Sequence, residues 1–303
     1  MFLSYTQSGQ LDEIAERFLL PFSSHSIDHV VIKPVKPFPF PWTSAEFFDA
    51  MPETVLEEPI KLEPLNIPGN DYDLIILGYQ PWFLSPSLPI TALLKNDEFK
   101  AVVKGKPVVT VVGSRNMWIN SQISVNRMVD QAGGKVVANV PFSDKSNNIV
   151  SAVSILYWML SGRKERMLGI FPKPGVSDED IAKAIEPGRI VLNYAERGEY
   201  TGLQEDIAEA GFISVPTDIL FIEKRAKRLF RIWAGIIKRL GKTSRSRKLW
   251  ISIYKYYLII ALFIVAPIVL LLYYILVLPF VYKRVAVEKE RVKLNLFEKL
   301  LTK

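Results

Sequence analysis

The sequence predicts an α/β protein: a doubly wound parallel sheet, followed by a basic amphipathic helix and a C-terminal transmembrane helix. Three observations carry this. Two short apolar runs, residues 74–77 and 107–112, close on Gly78 and Gly113, as strands buried on both faces do. Strand-like and helix-like stretches alternate through residues 1–160, the rhythm of parallel strands joined by helical crossovers. At Thr217 the chain turns from acidic and globular to basic and apolar.

Residues 2–5 read as the first strand. The turn Thr6, Gln7, Ser8, Gly9, Gln10 follows, and Leu11, Ile14, Ala15, Phe18 and Leu19 then recur at helical spacing. Free backbone N–H groups and the helix dipole converge at such a corner, which suits an anion. The plain alternative is an ordinary strand-to-helix turn with a capped helix. Residues 27–32 are the second expected strand. Residues 34–41 alternate proline with apolar residues and are expected to be stiff and extended. Thr43 and Glu46 make a capping box that opens a short helix to Met51. Residues 53–68, acidic and proline-punctuated, are expected as a surface loop.

The third strand, residues 74–77, leads into an aromatic, proline-stiffened loop over 79–87 and a helix from Pro89 to Leu94. In open α/β sheets ligands sit outside the carboxyl ends of strands, so this loop is a candidate wall for a planar ligand. The strand over 107–112 leads into Ser114, Arg115, Asn116, Met117 and Trp118. A helix over 120–132 follows, stopped by Gly133 and Gly134, then a strand over 135–140 and a closing apolar helix over 149–160. The sheet domain thus occupies residues 1–165. Residues 166–216 are an appended α/β segment, with a helix capped by Ser177, a small strand over 188–194 and a helix over 202–210.

From Thr217 to Lys255 twelve Lys and Arg stand against two Asp and Glu, and residues 283–303 carry a net +4. The whole chain carries +7, so residues 1–216 are acidic. Basicity beside an apolar segment points to anionic lipid as partner and away from nucleic acid. In the module at 217–248, Ile222, Ala226, Leu229, Phe230, Trp233, Ile236, Ile237 and Leu240 share one helical face, and Lys and Arg fill the other. That pattern suits a membrane interface, the alternative being a helix docked on the domain. Residues 256–282 hold no charge and exceed the roughly 20 residues of a bilayer span. The segment 249–282 is therefore expected as transmembrane, with a re-entrant hairpin at Pro267 as the alternative. The richer Lys and Arg flank on its amino side places the globular domain in the cytoplasm, at a bacterial inner membrane. Residues 283–303 are expected as a charged amphipathic tail helix. The apolar run at the amino terminus is too short for a signal peptide.

The chain has no cysteine, which excludes disulfides, thiol nucleophiles and thiolate metal sites. Its two histidines, His25 and His29, give no metal cluster, so no metal is expected. If the topology holds, residues 6–10, 79–85, 114–118 and 143–144 converge on one sheet edge. There Trp82 and Phe83 are candidates to stack on a planar ring or line an acyl channel, the alternative being loop packing. Arg115 is a candidate for an anionic group through its planar fork, the alternative being a surface ion pair. Tyr79 and Asp144 are the candidates for proton transfer.

The run Tyr5, Thr6, Gln7, Ser8, Gly9, Gln10 after the first strand, with Gly-Tyr-Gln-Pro-Trp-Phe-Leu-Ser-Pro at 78–86 after the third, resembles the flavodoxin superfamily. That resemblance implies a flavodoxin-like sheet and FMN as cofactor. The phosphate would be held by Thr6, Gln7, Ser8, Gly9 and Gln10, and the ring flanked by Tyr79, Trp82, Phe83, Ser114 and Asn116. A narrower resemblance rests on residues 78–86, on Gly-Ser-Arg-Asn-Met-Trp at 113–118 and on Phe-Pro-Lys-Pro-Gly-Val-Ser at 171–177. It is to the flavodoxin-like family of dialkylresorcinol condensing enzymes. It implies work beside a ketosynthase-type enzyme, joining or cyclising long acyl-derived lipid intermediates. Without cysteine, thioester attack through cysteine falls to that partner, so this chain is not itself a cysteine-dependent ketosynthase. Two alternatives stand beside this reading. One is an FMN-dependent NAD(P)H or quinone oxidoreductase; the other is a cofactor-free membrane scaffold for a ketosynthase.

Overall fold

The structure is a computed structural model that describes residues 1–297. Five strands form one all-parallel sheet: β1 (Phe2–Ser4), β2 (His29–Val31), β3 (Ile75–Tyr79), β6 (Pro107–Ser114) and β7 (Lys135–Ser143). Two further short strands, β4 (Pro81–Trp82) and β5 (Ser85–Pro86), pair as a separate hairpin. The sheet order is β2-β1-β3-β6-β7. Counting sheet strands alone, this is the flavodoxin-like order, in which the strand order reverses between the first and third strands. β3 and the centre of β6 are Val, Ile and Leu runs buried on both faces, as helices on either side require. At Gly78 an added Cβ would stand 3.0 Å from the Phe2 ring and 3.2 Å from Ser4 Cβ, so glycine lets β1 and β3 close up at the switch point.

The helices Gln10–Leu19, Leu88–Leu94, Ile119–Gln131 and Asn148–Ser161 follow the expected rhythm. The capping box at Thr43 and Glu46 forms and opens Ser44–Asp49. Residues 188–194 are not a strand: they lie inside the helix Ile185–Arg197. The reason is a helix crossing. A Cβ on Gly188 would come within 2.1 Å of the Phe18 carbonyl oxygen, so this glycine marks a close approach to the end of Gln10–Leu19. The appended segment shares the main core, contributing Val176, Ile181, Val191, Leu203 and Ile207.

The basic helix spans Thr217–Leu240 and packs on the domain. Ile219, Leu220, Glu223, Lys227, Ala234 and Ile237 form its buried stripe, while Leu229, Ile232 and Leu240 remain exposed. Its apolar residues are thus divided between the protein and solvent rather than gathered on one free face. Beyond it, Ser244–Lys293 is one helix of 50 residues, long and apolar enough to cross a membrane by length and composition. It stays helical through Pro267, with π-helical turns at Ala261–Val265 and Tyr273–Val277, so the re-entrant hairpin does not form. Pro267 falls in the first turn of the helix after the first π segment, where its missing N–H and ring are accommodated. The expected tail helix ends at Lys293, and residues 298–303 lie outside the described residues.

Candidate functional site

Two groups of side chains lie at the carboxyl edge of the sheet. The first surrounds the loop after β1. Gly9 adopts φ +83° and caps Gln10–Leu19 without a side-chain bond, while its N–H donates to Thr6 Oγ1 at 3.1 Å. The Gln7 amide donates to the Pro39 carbonyl at 2.7 Å, and Tyr5 donates its hydroxyl to Gln7. The proline-rich segment therefore folds back over the β1 loop. A cavity of about 330 Å³ lies there, lined by Tyr5, Thr6, Gln7, Asp12, Lys33 and Phe38 among others. Gln10 is committed elsewhere: its side chain accepts from Val176 N at 2.9 Å and donates to Val176 O at 3.0 Å. This is how residues 171–177, singled out in the sequence, reach the β1 corner.

Beside this loop stands the β4–β5 hairpin. Its two turn residues, Phe83 and Leu84, both have positive φ, at 47° and 60°. A two-residue turn with both central residues left-handed ordinarily takes Asn-Gly, and bulky side chains there store strain of about 1–3 kcal/mol each. The hairpin presents Trp82 to Tyr5, Phe38 and Trp42, at ring-centroid distances of 6.0, 5.0 and 5.4 Å. All three contacts are edge-on, the favourable geometry for aromatic quadrupoles. Phe83 instead packs on Phe47 at 5.0 Å. Trp42 Nε1 and the amide nitrogen of Gln80, next to the hairpin, are buried donors without an acceptor among the described residues.

The second group lies past β6 and β7. Arg115 Nη1 donates to the Asn148 carbonyl at 3.0 Å, and Asn116 donates to Asn148 Oδ1 at 3.1 Å. Asp144 is buried and accepts from Ser146 N at 2.8 Å and Ser151 Oγ at 2.6 Å. Burial lowers the Arg115 pKa to about 10, against the pull of Asp144 and Glu223. Asn116 Oδ1 has no partner among the described residues, and Ser114 Oγ donates to Phe142 O at 3.4 Å. Arg115, Asn116 and Asp144 thus lie close together, and the half-buried guanidinium is held by the Asn148 carbonyl rather than by a surface ion pair. Tyr79 is fully buried in the core and donates to Gln122 Oε1 at 2.8 Å, and burial raises its pKa. It belongs to a chain of interior polar groups with Thr110 and Asn139.

Composition concealed a third set. Glu223, from the basic helix, accepts from Asn120 N at 2.9 Å and Ile119 N at 3.2 Å, closing the amino end of Ile119–Gln131. Burial lifts its pKa to about 7 despite those bonds. Lys227, one turn on, donates to Leu84 O at 2.9 Å and Ser85 Oγ at 2.6 Å, with Glu57 at 3.7 Å. Glu57 also accepts from Ser124 at 2.6 Å and pairs with Arg127. Burial lowers the Lys227 pKa to about 8. The legible signal was an acid and a base four residues apart in the same stripe as Leu220 and Ala234.

FMN would meet this geometry at two places, the β1 corner and the Trp82 hairpin. The β1 corner fits a phosphate: Gly9 opens a helix whose first-turn N–H groups lack a side-chain cap, and Thr6 and Ser8 add hydroxyls. The ring end fits less well, because Phe38, Trp42 and Tyr5 already surround Trp82. No family model and no curated protein matches this chain. Among solved structures, a flavoprotein in complex with FMN from Lactobacillus acidophilus NCFM is similar. It is 22% identical, covers 46% of this chain and 90% of its own, and has a TM-score of 0.39. The flavodoxin-like description of the fold rests on the strand order itself.

Proposed function

We propose that this chain is a membrane-associated flavodoxin-like protein that handles long acyl-derived lipid intermediates beside a ketosynthase-type partner. One observation supports it above the others: an unbroken aromatic path from the β1 loop to the apolar helix. It runs from Tyr5 to Trp82, Trp42, Phe47, Phe48, Tyr254, Trp233 and Tyr257. Successive rings are 5.0–6.2 Å apart. These rings are closely packed, with Trp42, Phe48 and Tyr254 buried, so they form a continuous apolar seam between the apolar helix and the site, and an alkyl chain would follow its outer edge rather than pass through it. In this reading the polar head of the intermediate meets Thr6, Ser8 and Gly9 at the β1 corner. Trp42 Nε1 and Gln80 supply donors for its oxygens. Arg115 and Asp144 act behind the site, holding the β6 and β7 loops in place. Thioester chemistry through cysteine remains with the partner.

The test is reconstitution of the purified chain with a ketosynthase-type enzyme and long-chain acyl substrates, followed by mass spectrometry of the lipid products. Products that form only when this chain is present support the reading. Identical products with and without it contradict the reading.

An FMN-dependent oxidoreductase passing electrons to a membrane quinone is the second reading, favoured by the uncapped β1 corner. FMN bound there would supply electron transfer, and Thr6, Ser8 and Gly9 would hold its phosphate. A yellow preparation with flavin absorption bands selects that reading.

A further inference from the structure

Residues 256–282 carry no charge and have the length of a bilayer span. Both ends of the helix that contains them are nevertheless fastened to the same globular domain. At the amino end, Arg247 reaches Asp49 at 2.6 Å and Glu53 at 2.8 Å, and Ile251 and Tyr254 are buried with Phe48 and Met51. At the carboxyl end, Gln204 Nε2 donates to the Lys293 carbonyl at 2.7 Å, and Asn126 donates to Asn295 Oδ1 at 3.1 Å. Val292 and Phe297 are only 1% and 4% exposed and belong to the main core. Between these anchors the helix runs antiparallel to Thr217–Leu240, with Trp233 on Tyr257 and Phe221 on Tyr273.

A helix threaded through a bilayer has its ends on opposite sides of a hydrocarbon layer about 30 Å thick. In that arrangement the bonds of Gln204 and Asn126 to the carboxyl end could not form, and Val292 and Phe297 would leave the core. Spanning and the observed docking exclude one another. We propose that residues 256–282 do not cross the membrane but lie in its plane, so that the protein sits on one leaflet with both flanks on the same side. This rests on the membrane-associated reading above and specifies its topology.

The occupant of the exposed face is the leaflet of an anionic bilayer. Ile260, Ile264, Ile268, Leu271, Ile275 and Phe280 are 51–86% exposed, and Ile259, Leu272, Leu276 and Val277 beside them are 42–59% exposed, a broad apolar surface larger than soluble proteins ordinarily tolerate. Exposed Lys242, Arg245 and Lys248 stand before it and exposed Lys283 and Arg284 after it. Basic groups at both ends of an in-plane apolar helix meet anionic headgroups along the same surface. A single span needs no such symmetry.

The chain has no cysteine, so single reporters can be placed directly in the full-length protein. Ser26→Cys lies on the globular domain, and Val287→Cys lies past the apolar run at a 54% exposed position. Inverted inner-membrane vesicles from the expression host are treated with a membrane-impermeant maleimide before and after lysis. The proposal expects both reporters to label before lysis, with little further labelling afterwards. It also expects Asn126→Cys and Asn295→Cys to be joined by a short bis-maleimide in the same vesicles. Labelling of Val287→Cys only after lysis, with Ser26→Cys labelled before, overturns the in-plane topology and leaves the membrane reading standing. A protein absent from the vesicles overturns both.

Discussion

Lys227 Nζ lies 2.9 Å from the carbonyl oxygen of Leu84, a left-handed residue at the turn of the Trp82 hairpin. The lysine belongs to the basic helix Thr217–Leu240, and the hairpin belongs to the strand-end site. This bond joins the two parts of the molecule, alongside those of Glu223 to Asn120 and Arg247 to Glu53. Buried lysine is costly to desolvate, and the nearby Glu57 carboxylate offsets that cost.

Lys227→Met should therefore destabilise the protein by about 3 kcal/mol, the lower end for breaking a buried pair, because Arg127 still holds Glu57. Denaturant unfolding measures this. The same variant should loosen the hairpin, seen as a change in tryptophan emission at temperatures well below unfolding.

The Glu223 carboxyl has a folded-state pKa of about 7 against an ordinary 4.5, because burial disfavours its charge. The folded state therefore binds a proton that the unfolded state has released between those two values. Its contribution to stability is full below about pH 4.5 and is lost as pH rises to about 7. Glu223→Gln should flatten that part of the stability profile, as read from melting temperatures across the range.

Arg115→Ala removes a half-buried guanidinium and its bond to the Asn148 carbonyl. Loss of a charge-assisted hydrogen bond predicts about 1.5–3 kcal/mol of destabilisation, visible in urea unfolding. Trp82→Ala should be milder than a fully buried Trp→Ala, about 2 kcal/mol rather than roughly 3–5. It should lower product formation in the reconstituted assay far more than Arg115→Ala does.

A chain ended at Pro216 would lose the carboxylate that closes Ile119–Gln131, the lysine under the hairpin, and Val292 and Phe297 from the core. It should be less stable than the full chain and prone to aggregate, rather than a clean soluble domain. Its melting temperature and size-exclusion profile beside the full-length protein check this.

The sheet was legible because Ile75, Ile76 and Leu77, and Val108 through Val112, form runs that only a doubly covered strand explains. The capping box at Thr43 was legible for a local reason too, since it depends on residues three apart. Ile185–Arg197 was misread where Gly188, Ile190, Val191 and Tyr194 mimic a short strand. Gly188, which reads locally as a break, is there for a close approach to the Phe18 carbonyl that no local window contains. Arg115, Asn116 and Asp144 gather past β6 and β7 as the topology required. Tyr79 does not open on a cavity, because side chains alternate along β3 and both faces of that strand are covered. The docking of Thr217–Leu240 depends on Glu223 and Lys227, whose charges look like a solvated face until their partners Asn120 and Leu84, far away in sequence, are known.

A long acyl chain that follows the apolar seam from the membrane to the loop after β1 can be trapped in place. A photoactivatable hexadecanoic acid, with its diazirine near the carboxyl group, tests this in vesicles bearing the full-length protein. After irradiation and proteolysis, mass spectrometry maps the modified peptides. The account predicts modification of residues 5–10, 38–42 and 82–83, reduced by Trp82→Ala, together with the apolar helix. Modification confined to the helix Ser244–Lys293, with the strand-end loops unmarked, would contradict it.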